Sequence, residues 1–217
     1  MRALGTSLLA GALLSGIWYW VFLRRNRHKA HNILDWIEAS MAGEGQALGI
    51  RWMTPSQFRI PLRLTSRMFH HASVQVEMAP RQRPLHWLWK WLRKQPEVII
   101  FQADLDTPPA FSLDIQNFRS FARSNRSTAA GGPEWSFIRS RPFVISSQAN
   151  WQKEVVGTMT SLAGSGNRDF LNISFRRHSP HFSVTLPLET ISPDSPDREF
   201  MLDTMRELAA RSSAKLF

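Results

Sequence analysis

Cysteine is absent from the chain, which excludes disulfides, thiolate zinc sites and a cysteine nucleophile, and fits a reducing compartment. Acidic residues are also few. Seventeen Asp and Glu stand against 27 Lys and Arg, a formal net charge of +10, and an excess of that size points to a polyanionic partner. Recurrent catalytic signatures are missing: there is no GxSxG serine elbow, no dinucleotide fingerprint and no HExxH. The glycine-rich run at 164–167 follows a helical pattern and lacks the lysine of a phosphate loop, so it reads as a helix stop. These patterns call for no cofactor, and an enzyme on this chain would need dispersed catalytic residues.

What the chain does contain is a long uncharged run. Residues 3–23, ALGTSLLAGALLSGIWYWVFL, carry no charge and are stopped by Arg24, Arg25, Arg27, His28 and Lys29. As a helix rising ~1.5 Å per residue this run covers roughly 31 Å, the thickness of a bilayer's hydrocarbon core, which predicts a single transmembrane anchor. Trp18, Tyr19 and Trp20 sit where an interfacial aromatic belt belongs. The basic cluster behind them predicts the N-terminus outside and the C-terminal body in the cytoplasm at the cell (inner) membrane. No small-x-small site follows the apolar run, so the anchor is expected to stay uncleaved. Arg24, Arg25, Arg27 and Lys29 are predicted lipid or partner contacts, worth ~1 kcal/mol each beside anionic lipid. Ser7, Gly11 and Ser15 recur at every fourth position and form a candidate pairing face for a homodimer through the span. Small residues are also common in any membrane helix.

Behind the anchor, Ala30, Ile33, Leu34, Trp36, Ile37 and Met41 repeat at helical spacing and predict an amphipathic helix ending at Gly43 and Gly45. Strands are predicted at 48–53, at 58–64 and at 72–78. In the second of these Phe58, Ile60, Leu62 and Leu64 alternate with Arg59, Pro61 and Arg63. Pro61 cannot donate to a ladder, which predicts an edge position or an outward-facing nitrogen. Residues 97–105 and 110–115 read as a hairpin about Asp106, Thr107, Pro108 and Pro109. A strand is predicted over 137–145, a helix over 150–162, a hairpin over 170–175 and 182–188, and a final helix opening at Ser195 and Pro196.

The segment 85–94, LHWLWKWLRK, places Leu85, Leu88, Trp89 and Leu92 on one helical face, widened by Trp87 and Trp91. His86, Lys90, Arg93 and Lys94 fill a narrow polar arc. The commoner reading of such a wheel is a core helix packed on a sheet. Tryptophans beside lysines also suit a helix lying in the headgroup plane, which makes Trp87, Trp89, Trp91, Lys90, Arg93 and Lys94 candidate lipid or partner contacts.

The two halves share an order of strand, helix and hairpin, and PAFSLDI at Pro109 matches PHFSVTL at Pro180. The pattern is that of a duplicated β-α-β-β unit. With hairpins outnumbering crossovers and 43% hydrophobic residues for a core, the predicted fold is α+β, a two-layer domain of largely antiparallel sheet with helices on one face. The boundaries are an anchor at 1–23, a basic juxtamembrane segment and helix at 24–46, a first half at 47–118, a linker loop at 119–134 and a second half at 135–217.

Two histidine pairs, His70 with His71 and His178 with His181, are metal-ligand types, yet no third ligand stands at a fitting spacing. Asp104 and Asp106 share a strand face and more often solubilise a hairpin end than perform acid–base work. Basic residues are dispersed along the chain without a nucleic-acid-binding module, so anionic lipid is the preferred partner over nucleic acid. The sequence thus predicts an anchored protein that acts by binding, as an accessory or scaffold subunit beside an unidentified membrane protein. A tethered enzyme and a nucleic-acid-binding module are the alternatives.

Overall fold

The structure is a computed structural model that describes residues 2–41, 45–65, 68–109, 112–117, 135–140, 143–148 and 170–190, with residues 2–8, 10, 135–140, 148 and 190 described in their backbone only. The expected linker at 119–134 and the expected helices at 150–162 and from Ser195 lie outside these residues.

One helix, α1 (Arg2–Ser40), runs from the uncharged stretch through the basic cluster into the body. Ala30, Ile33, Trp36, Ile37 and Met41 are buried, with Leu34 packed beside them, which is the face that the helical spacing marks out. They join a core whose other members come mostly from the inner face of an antiparallel sheet that has ten strands among the described residues. Its strands are β1 (Gly45–Ala47), β2 (Arg51–Thr54), β3 (Gln57–Leu64), β4 (Phe69–Glu77), β5 (Val98–Leu105), β6 (Leu113–Asn117), β7 (Trp135–Ser140), β8 (Phe143–Gln148), β9 (Asn172–Phe175) and β10 (Phe182–Pro187). A second helix, α2 (Pro84–Leu92), links β4 to β5, and a 3-10 turn (Leu188–Thr190) follows β10. The α+β class with an antiparallel sheet is as expected.

Spatial order across the sheet is β1-β3-β4-β5-β10-β9-β6-β8-β7, with β2 also on β3. Because side chains alternate between faces, the register puts Ile60, Val74, Phe101, Val184, Ile173, Ile115 and Ile145 in one apolar row. All seven are buried. One residue along, the opposite face presents Arg59, Gln75, Ile100, Thr185, Asn172 and Gln116, so the sheet has an apolar and a largely polar side. Phe69, Phe101, Phe175 and Phe182 pack together on the apolar side, with ring centroids 5.1 to 6.2 Å apart.

Strands β1 and β2 lie end to end along β3. Leu48 N–H donates to the Pro61 carbonyl at 2.9 Å. Pro61 has no N–H to return the bond, so the ladder breaks there and Gly49, at φ 94°, carries the jog between the two short strands. Pro61 therefore faces the sheet's outer edge with its nitrogen, although β3 itself is flanked on both sides.

Two expectations about pairing are overturned. The predicted hairpin of 97–105 with 110–115 does not form: β5 pairs with β4 and β10, β6 pairs with β8 and β9, and the β9–β10 hairpin lies between them. Three strand steps of ~4.8 Å put β5 and β6 roughly 14 Å apart, a gap that the connecting residues 106–112 can span at ~3.3 Å each. Pairing with β10 aligns all six of its residues with β5 and brings Phe182 against Phe101, contacts that a loop-length argument does not count. The duplicated unit consequently has no counterpart in the strand order. The single strand expected over 137–145 is instead two, β7 and β8, with Ser140 opposite Phe143. Pro142 between them was the signal, since proline interrupts a strand.

Among the described residues no helix is long and apolar enough to cross a membrane. The expected span at 3–23 thus has no support from these residues.

Candidate functional site

Helix α1 is stitched to one end of the sheet along a single stripe. Trp18 Nε1 donates to the Arg81 carbonyl at 2.9 Å. Roughly two turns later, the buried Asn26 donates through Nδ2 to the Pro55 carbonyl at 3.1 Å and to Gln82 Oε1 at 3.4 Å. Lys29 on the same stripe forms an ion pair with Glu97. Glu97 also accepts the Ala79 N–H at 3.1 Å and stands 3.3 Å from the Arg81 guanidinium. Burial alone would raise the Glu97 carboxyl, but the Lys29 and Ala79 hydrogen bonds and the charges of Lys29 and Arg81 outweigh it and hold the group below its ordinary range.

The β4–α2 connection is thereby fixed against α1, and α2 starts three residues beyond Arg81. Pro84 opens the helix at its first turn, where its missing N–H is no loss. At the other end Lys94 N–H donates to the Trp91 carbonyl and Gln95 N–H to the Lys90 carbonyl, with Lys94 left-handed at φ 49°. This is a Schellman closure with lysine where glycine is usual.

No residue of α2 is buried. Leu85 is 84% exposed, Trp91 63% and Trp89 55%, so the expectation of a core helix covered by the sheet does not hold. The apolar face that the wheel marks out is largely solvent-facing, with Trp87 half-buried. Leu48, Trp52 and Met53 are exposed as well, the latter two just before the Pro55 carbonyl that Asn26 holds.

The predicted site residues divide between this surface and the interior. Arg24 is exposed with its guanidinium 5.6 Å from the Trp20 ring centre, and Arg93 sits 4.4 Å over Trp89. Arg25, Arg27 and Lys94 are exposed, and Trp87 is half-buried. Lys29 turns inward to Glu97, and Lys90 lines a cleft on the sheet's polar side. The structure thus brings the aromatic end of α1 and the tryptophan helix to one end of the sheet, and turns these two lysines toward Glu97 and the cleft.

On α1, Ser15 Oγ donates to the Gly11 carbonyl at 2.9 Å within its own helix, and a Cβ at Gly11 or Gly16 would meet nothing within 4 Å. The Ser7 side chain lies outside the described residues. Sequence reasoning missed Asn26, Arg81, Gln82 and Glu97. Asn26 alone had a signal, as the uncharged residue inside a basic cluster.

The opposite end of the sheet gathers the histidines and aspartates. His70 Nε2 lies 3.2 Å from Asp106 Oδ1. His181 Nδ1 accepts the Leu105 N–H at 3.2 Å, so that nitrogen carries no proton to give Asp104, 4.0 Å away. His178 is exposed, and among the described residues no group of three or more His, Cys, Asp and Glu could hold a metal ion. The chemistry concentrated at the α1–α2 end is that of an amphiphilic contact surface: exposed tryptophan and leucine with arginine stacked on the rings. No protein-family model and no curated protein matches the chain.

Proposed function

We propose that the chain is a single-pass membrane protein anchored by residues 3–23, whose basic cytoplasmic domain acts by binding, as an accessory or scaffold subunit held against anionic lipid by α2. The carrying observation is the hydrogen bond from Trp18 to Arg81. Trp18 begins the aromatic belt of α1, and the bond joins that belt to the segment leading into the uncovered α2, which supports a common headgroup depth for their indole rings and Lys/Arg stems. Leu13, Leu14, Ile17 and Val21 of α1 are exposed in the same way, which suits immersion of that half of the helix in hydrocarbon.

Because the chain has no cysteine, single labels can be placed without background. The full chain with Leu88→Cys or His178→Cys is spin-labelled and reconstituted in nanodiscs containing anionic lipid. At position 88 the label is expected to collide readily with oxygen and be shielded from a water-soluble nickel chelate; at position 178 the reverse is expected. Equal, water-like exposure of both labels refutes the lipid contact.

A further inference from the structure

Beneath the C-terminal end of α2, the polar side of the sheet carries a cleft of about 400 Å³ whose wall includes Glu77, Lys90, Glu97, Gln116, Asn172 and Thr185. Gln116 stands opposite Asn172 across β6 and β9, and Asn172 opposite Thr185 across β9 and β10. Side chains so paired share a face with Cβ atoms roughly 5 Å apart. Gln116 is only 8% exposed, yet among the described residues its Oε1 has no hydrogen-bond partner, and neither has Asn172 Oδ1.

The reason lies one step along the strand. Gln116 Nε2 donates to Asp114 Oδ2 at 2.8 Å. With its NH₂ group drawn to that carboxylate, the Gln116 amide oxygen is turned away from it. A buried acceptor left without a donor is costly, and such groups in a native fold mark a place that an outside donor fills. Charge in the wall is uneven. Glu97 is already neutralised by Lys29 and Arg81, whereas Glu77 accepts from Gln75 Nε2 at 3.2 Å and has no ion pair among the described residues.

We propose that this cleft binds a small ligand bearing a primary ammonium, whose N–H groups donate to Gln116 Oε1 and Asn172 Oδ1 while the adjacent Asp114 carboxylate, whose Oδ1 also lacks a partner among the described residues, supplies the nearest negative charge and Glu77 adds to it from farther along the cleft. A divalent metal fits less well, since two amide oxygens and one carboxylate fall short of the six to eight oxygens a hard cation takes. Lys90 on the rim favours a ligand with an acceptor at its other end, such as an amino alcohol. The same chemistry occurs in a free amino alcohol and in an ethanolamine lipid headgroup.

The test titrates ethanolamine against the full chain in maltoside micelles by calorimetry, with choline as the control because its quaternary ammonium has equal charge and no N–H. Saturable ethanolamine binding, with choline weaker by roughly tenfold or more, is expected, as is a loss of roughly tenfold in Gln116→Leu or Asn172→Leu. Equal binding of the two amines, or no saturable ethanolamine binding, overturns the proposal, and this wild-type comparison decides the matter if the variants fail to fold. Folded variants with unchanged ethanolamine affinity overturn it too. Doping the micelles with phosphatidylethanolamine separates the sources: competition with ethanolamine supports the headgroup, and undiminished binding supports the free amine.

Discussion

Trp18 and Arg81, 63 residues apart in the chain, are joined by a hydrogen bond of 2.9 Å from the indole N–H to the backbone carbonyl. It ties the end of an uncharged helical stretch to the segment that launches the tryptophan helix. Trp18→Phe keeps the ring packed on Phe22 and removes only the donor. The expected cost is about 1 kcal/mol, with faster amide hydrogen exchange in Pro84–Leu92 than in β4 or β5. Unchanged exchange in α2 shows that the bond does not restrain it.

Glu97 joins α1, the β4–α2 connection and β5 through Lys29, Arg81 and the Ala79 N–H. Glu97→Gln leaves two cations facing a neutral amide, and an expected loss of ~1–3 kcal/mol follows, moderated because Lys29 is partly open to water. The carboxyl is held below its ordinary value in the folded state. Its stabilisation is therefore complete above the unfolded-state pKa and disappears as pH falls through the folded one. Thermal melts of the two proteins should differ at pH 7 and converge in acid.

Asp114 has the opposite sign. Burial pushes its carboxyl above the ordinary value, and the bonds from Gln116 and Asn172 and the charge of Arg176 offset this only in part. A raised folded pKa favours folding below the unfolded pKa, and that benefit is lost as pH rises through the folded value. Asp114→Asn, which does not titrate, should gain on the wild-type protein over that rise. Parallel stability curves for the two proteins across this range contradict the assignment.

Aromatic residues on the two surfaces should behave in opposite ways. Phe182 is fully buried among Phe69, Phe101 and Phe175, and Phe182→Ala is expected to cost ~3–5 kcal/mol in denaturant titrations. Trp91 is mostly exposed, so Trp91→Ala should stay within about 0.5 kcal/mol. A large loss at Trp91 implies that α2 has a covering partner within the fold.

Much of the local structure is legible in the chain itself. The spacing of Ala30, Ile33, Trp36, Ile37 and Met41 names the face of α1 that the core receives, and the alternation of Phe58, Ile60 and Leu62 names the inner face of β3. The β9–β10 hairpin and the existence of α2 are legible for the same reason. Each depends on a period of two or 3.6 residues set by backbone geometry within a few positions of the signal.

Only the tertiary structure decides which partner wins where several satisfy the same local rule. An apolar helical stripe is equally consistent with burial or exposure, and α2 is left uncovered because its flanks, held by Trp18 and Glu97, fix its position. Strand β5 takes β10 instead of β6, its nearer neighbour in sequence, and that pairing brings Phe101 against Phe182 in the phenylalanine cluster. Lys29 resembles its basic neighbours until Glu97 is brought beside it, and Gln116 and Asn172 are ordinary strand amides until β6 and β9 become neighbours. In each case the deciding energy comes from contacts between residues far apart in sequence, which no local period encodes.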